Sequence, residues 1–166
     1  MKSEETRLDA DTLEDDLERL FRRLFETEIH NGSITLLVEW TQNRRLAGKS
    51  VSVQPRCSEC APLVGYAENG DEIVYLTIGQ NTTLEVPIRG QRYTKLQGAE
   101  ELIKLIQAVA GGRFEETLWI RKSEIVKSVG KIFMDERPPT EIKTSKLTNP
   151  FVSLEKKVCK YQPYYQ

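Results

Sequence analysis

Residues 63–78 read Leu63-Val64-Gly65-Tyr66-Ala67-Glu68-Asn69-Gly70-Asp71-Glu72-Ile73-Val74-Tyr75-Leu76-Thr77-Ile78. Two strand-like runs flank Asn-Gly, a pair that tolerates the positive φ angles of the turn whose twist suits adjacent antiparallel strands. A connection this short cannot hold the crossover that parallel strands require. The segment predicts a hairpin and sets an antiparallel framework.

The period of two extends on both sides. Upstream, Ile34-Thr35-Leu36-Leu37-Val38-Glu39-Trp40 and Ser50-Val51-Ser52-Val53 read as strands. Downstream, Thr83-Leu84-Glu85-Val86 adds a short edge strand ended by Pro87, which cannot donate to a ladder. A meander is implied.

Before it, Leu13, Leu17, Leu20, Phe21, Leu24 and Phe25 recur as one stripe of a 3.6-residue helix. Asp11 or Thr12 can cap its start with Glu14 or Asp15 three residues on, and Asn31-Gly32 supplies a left-handed stop. Asp15–Arg19 and Glu18–Arg22 stand four apart on the outer face. A second stripe, Leu102, Ile103, Ile106, Val109 and Ala110, follows Gly98 and ends at Gly111-Gly112. Phe114 to Arg121 and Glu124 to Phe133 form a closing hairpin joined at Lys122-Ser123. The expected fold is α+β, a mostly antiparallel sheet of about six or seven strands with the two amphipathic helices packed on one face.

Residues 1–9 carry only Leu8 as an aliphatic anchor and are expected to be a disordered start; 10–133 form a single α+β domain. Pro138-Pro139 opens a C-terminal extension, 134–166, expected to be partly ordered because it carries Phe151, Val152, Leu154, Tyr161, Tyr164 and Tyr165. No apolar run reaches the roughly 18 residues of a membrane helix and no secretory signal is visible, so the expectation is a cytoplasmic protein with no membrane partner.

Composition excludes little by itself: 39% apolar and 30% charged residues describe an ordinary globular chain. The charge distribution says more. Residues 1–28 hold ten acids and five bases, whereas 121–166 hold five acids and ten bases, although the whole chain is −1. An acidic first segment favours a basic partner and faster association with it.

No G-x-S-x-G, H-E-x-x-H or P-loop motif occurs, so nucleophilic, zinc-hydrolase and phosphate-loop chemistry find no support. Cys57-Ser58-Glu59-Cys60 has C-x-x-C spacing, half of a zinc site that only Cys159 and the single histidine, His30, could complete. The plainer reading is two ordinary loop thiols and a histidine at a helix C-terminus. Glu100-Glu101 suit the first turn of the second helix, and Glu115-Glu116 suit opposite faces of a strand, rather than acid and base catalysis.

The sequence thus favours a small non-enzymatic module that binds another protein, of inhibitor or immunity type in size, class and charge. Its contact residues would be Glu14, Asp15 and Glu18 on the first helix with Trp40, Tyr66, Tyr75 and Trp119 on an open sheet face. A homo-oligomer is compatible with this. One alternative is a metal-binding or small-ligand enzyme around Cys57 and Cys60, with zinc held by Cys57, Cys60, Cys159 and His30. Another is a nucleic-acid-binding regulatory module using the basic, aromatic stretch Lys156 to Tyr165, a reading that the pI near 6.0 disfavours.

Overall fold

The computed structural model describes residues 13–42, 47–68, 72–88, 95–135, 137–146 and 153–165. The expected disordered start and the Asn69-Gly70-Asp71 turn lie outside these. In chain order the elements are α1 (Leu13–Leu24), α2 (Glu26–His30), β1 (Ile34–Gln42), β2 (Ala47–Pro55), β3 (Leu63–Glu68), β4 (Ile73–Ile78) and β5 (Thr82–Pro87). Then follow α3 (Lys95–Ala110), β6 (Phe114–Arg121), β7 (Glu124–Ile132), β8 (Thr140–Ser145) and β9 (Glu155–Lys160).

The fold is α+β with antiparallel sheets, as the hairpin signal implies, but there are two sheets rather than one. β1 to β5 form a sequential five-stranded meander, and the second sheet has four strands in the order β8-β7-β6-β9. The division falls at α3: β6 leaves that helix to pair with β7 and β9 rather than with β5. β3 and β4 are antiparallel neighbours, with Leu63 opposite Ile78, and β5 is the edge strand that ends at Pro87. The β6–β7 turn closes at Lys122 and Ser123, whose φ angles of 47° and 67° make it the twist-compatible kind.

The first helix is interrupted where one continuous stripe is expected. Phe25 leaves helical geometry at φ −114°, which lets its ring sit buried 6.1 Å from Phe21 and 5.7 Å from Tyr164. The helix resumes as α2 and stops at Asn31-Gly32, with Gly32 at φ 74° and the Asn31 carboxamide accepting from the Ser33 amide at 3.0 Å. α3 starts at Lys95, so Glu100 and Glu101 stand beyond its first turn.

α1 buries Leu13, Leu17, Leu20 and Phe21 against β2 and β3, where Val51, Val53, Leu63 and Ala67 face it. Each such side chain contributes about 1.5–3 kcal/mol on burial. Gly65 is what brings the helix close, since a Cβ there would meet the Phe21 ring at 2.9 Å. α3 buries Leu102, Leu105, Ile106 and Val109 and touches β5 and β7, so both helices join the two sheets' inner faces in one core.

The segment after 134 contributes two strands. β8 and β9 are polar and mostly exposed, with Ile142 on the core side of β8. Beyond β9 the chain docks on the turn after β2. The Gln162 amide donates to Glu59 at 2.9 Å, Tyr164 donates from its amide to Ala110 at 2.9 Å, and its buried hydroxyl donates to the Ala61 carbonyl. Among the described residues no helix is long and apolar enough to cross a membrane.

Candidate interaction surfaces

The cysteines and the histidine do not converge. Cys57 and Cys60 occupy the turn that receives the C-terminal segment, and the Cys60 thiol donates to the Pro163 carbonyl at 3.2 Å. Burial, with Cys57 beside it, pushes the Cys60 thiol up to about 11, the opposite of what a redox nucleophile requires. Cys159 accepts from the Gln80 amide group at 3.6 Å on β9, and His30 is exposed at the end of α2. Among the described residues no three His, Cys, Asp or Glu side chains are grouped to hold a metal, so the zinc alternative built on Cys57, Cys60, Cys159 and His30 finds no assembled site.

The acids of the first helix are also placed differently from the expectation. Lys49 alternates with Val51 and Val53 on β2, which carries its side chain beneath α1. There its ammonium donates to Asp15 at 2.6 Å and Glu18 at 2.8 Å and lies 4.6 Å from the centre of the Trp40 ring. Glu18 keeps its Arg22 partner at 2.8 Å, but Arg19 pairs with Asp16 rather than with Asp15. Asp15, Glu18 and Trp40 are therefore brought together around the buried Lys49 ammonium, with the Trp40 ring largely exposed beside it. The Glu14 side chain lies outside the described residues.

The Lys49 hydrogen bond is the main reason that Asp15 and Glu18 are held below the usual carboxylate range. For Lys49, desolvation works downward, but the hydrogen bonds and charges of the two acids outweigh it and its pKa is raised. Depressed carboxylates contribute stability above their ordinary pKa and lose it as pH falls through the folded-state value. Lys49→Met should therefore flatten the acid loss of stability between about pH 5 and 3, seen in urea titrations. Because Asp15 is 46% exposed and can return to water, the cost at neutral pH should be about 1 kcal/mol or less.

Tyr66 and Tyr75 stand on the other side of the first sheet. Leu63, Gly65 and Ala67 on β3 and Val74, Leu76 and Ile78 on β4 are buried, so the alternate residues point away from α1. Register aligns Glu39, Ser50, Tyr66, Tyr75 and Glu85 in one row across five strands. The next row is Leu37, Ser52, Val64, Thr77 and Thr83. The two tyrosine rings are 6.2 Å apart and tilted by 44°, and Leu37 is 41% exposed. Burial, with Glu68 nearby, holds the Tyr66 hydroxyl above its usual range, so it remains a donor. Among the described residues this face carries Glu39, Glu68 and Glu85 and no lysine or arginine. Trp40, on the helix side, and Trp119, on the second sheet, do not belong to it.

Two features escape the sequence reading. Glu115 and Glu116 do take opposite faces of β6, but Glu116 is fully buried and organises the join between the sheets. Its carboxylate accepts from the Gln80 and Asn81 amides at 2.9 Å, the Thr82 hydroxyl at 2.8 Å and the Tyr161 hydroxyl at 2.9 Å. Gly79, at φ 66°, permits this approach, since a Cβ there would meet the carboxylate at 2.6 Å. The signal was the parity of Glu116 with Phe114 and Leu118.

The second feature is a cleft of about 560 Å³ between β5 and α3, floored by Leu84, Val86 and Leu105 and edged by Glu100, Glu101, Lys104 and Arg137. Arg137 reaches Glu101 across it at 3.4 Å. It opens between sheet and helix, as a ligand pocket would, but no cysteine lines it. No family model, curated protein or solved structure matches this chain.

Proposed function

We propose that the protein is a small, non-enzymatic cytoplasmic binding module that docks a basic protein surface on the open face of its first sheet, in the manner of an inhibitor or immunity-type partner. The observation that carries this is the adjacent Tyr66–Tyr75 pair on a face bordered by Glu39, Glu68 and Glu85. Tyrosine gives large contact area with few rotors to freeze, and charges at the rim steer a partner of opposite sign. Three free cysteines fit a reducing compartment.

Native mass spectrometry of the untagged protein from its own cells tests the reading. The expected spectrum contains a stoichiometric complex with a second protein of high pI. A bare monomer or homodimer would overturn it.

A further inference from the structure

The fold divides the basic, aromatic C-terminal stretch between two roles. Tyr161 and Tyr164 turn inward, Tyr161 onto Glu116 and Tyr164 into the core, and are unavailable to a ligand. Lys156, Val158 and Lys160 instead take the outer side of β9, beside Trp119, Thr117 and Glu115 of β6. Trp119 faces Lys127 on its other flank, so a lysine from each neighbouring strand reaches the indole, at 4.6 Å for Lys127 and 5.9 Å for Lys156. The same alternation adds Lys131 on β7 and Lys143 on β8.

Among the described residues two acids share this face, and each is already engaged. Glu115 lies 3.5 Å from Lys160 and Glu141 lies 3.2 Å from Lys131. Among the described residues, Lys127, Lys143 and Lys156 meet no carboxylate at ion-pair distance. On the edge strand β9, between Lys156 and Lys160, Val158 is 53% exposed.

We propose that the outer face of the second sheet binds single-stranded nucleic acid, with the lysines on backbone phosphates and the Trp119 indole as a stacking surface. A four-stranded sheet is too broad for a duplex groove, which admits a helix or a two-stranded ribbon. It can carry an unpaired strand, whose bases are free to lie on aromatic side chains while the phosphates meet lysines. The low pI of the whole chain does not oppose this, because residues 121–166, which supply three of the sheet's four strands, hold five acids against ten bases. The proposal is independent of the first sheet's role, since the two faces share no residue.

The test is fluorescence anisotropy with labelled single-stranded DNA and RNA of mixed sequence, about 20 nucleotides long, set against a duplex and poly-glutamate. Three to five phosphate contacts predict that affinity for the single strand falls roughly 20- to 130-fold between about 50 and 200 mM salt. Lys127→Ala/Lys156→Ala, its fold checked by thermal melting, should weaken binding about tenfold at low salt and reduce the salt slope by about 1.4. Lys127→Arg/Lys156→Arg should restore both.

Absence of binding, or binding that the alanine pair leaves unchanged, would overturn the proposal. Equal binding of poly-glutamate would assign the face to an acidic protein instead. Salt-sensitive self-association with no oligonucleotide binding would assign it to the acidic face of a second copy.

Discussion

Glu116→Ala is expected to destabilise the protein by about 4 kcal/mol, because it strands two backbone amides and two hydroxyls that now share one buried carboxylate. For a chain of this size that corresponds to a melting temperature lower by about 8–16 °C. Burial, the Glu116 charge and its hydrogen bond hold the Tyr161 hydroxyl far above its ordinary range, so this partner stays a donor throughout. Glu116→Gln should fall between parent and alanine variant, since its amide oxygen still accepts while its NH₂ group faces other donors. Urea unfolding of the three proteins gives the order, and an alanine variant within about 1 kcal/mol of the parent would mean that the β4–β5 turn does not depend on Glu116.

The contrast between this carboxylate and the helix acids shows what the sequence could express. Asn69-Gly70 and the alternation on either side were enough for the antiparallel framework, because turn chemistry and a half-buried sheet act locally. Lys122-Ser123 was legible for the same reason. The second sheet was not, since β8 and β9 draw almost no apolar pattern of their own: Thr140 to Ser145 puts only Ile142 toward the core, and β9 is an exposed edge. β8 is placed by its pairing with β7 across Pro138-Pro139, and β9 by its pairing with β6, tens of residues away in sequence.

Of the expected contact residues, Tyr66 and Tyr75 fall on one open face because β3 and β4 pair antiparallel with Tyr66 opposite Tyr75. Asp15, Glu18 and Trp40 gather around Lys49 because that residue, between Gly48 and Ser50, shares the parity of buried valines. A lysine at an inward strand position requires partners, and the first helix provides them. Cys57 and Cys60 stay together in one turn, whereas Cys159 meets Gln80 on β9 and His30 ends α2, so among the described residues these side chains form no metal group.

The second large effect concerns binding. Truncating two adjacent aromatic anchors commonly costs several kcal/mol, so Tyr66→Ala/Tyr75→Ala should lower affinity for the partner by at least about 100-fold. The loss in folding stability should be smaller, since a cross-strand aromatic pair contributes about 0.2–1 kcal/mol. Reversing the rim charges, with Glu39→Lys/Glu85→Lys, should chiefly slow association and invert its salt dependence, the pattern of steering rather than anchoring.

The most direct measurement is calorimetric titration of the recovered basic partner with the parent, with Tyr66→Ala/Tyr75→Ala and with Lys127→Ala/Lys156→Ala. An affinity lost in the tyrosine variant and kept in the lysine variant is the predicted result. Unchanged affinity in the tyrosine variant would contradict the assignment of the partner to the first sheet's open face.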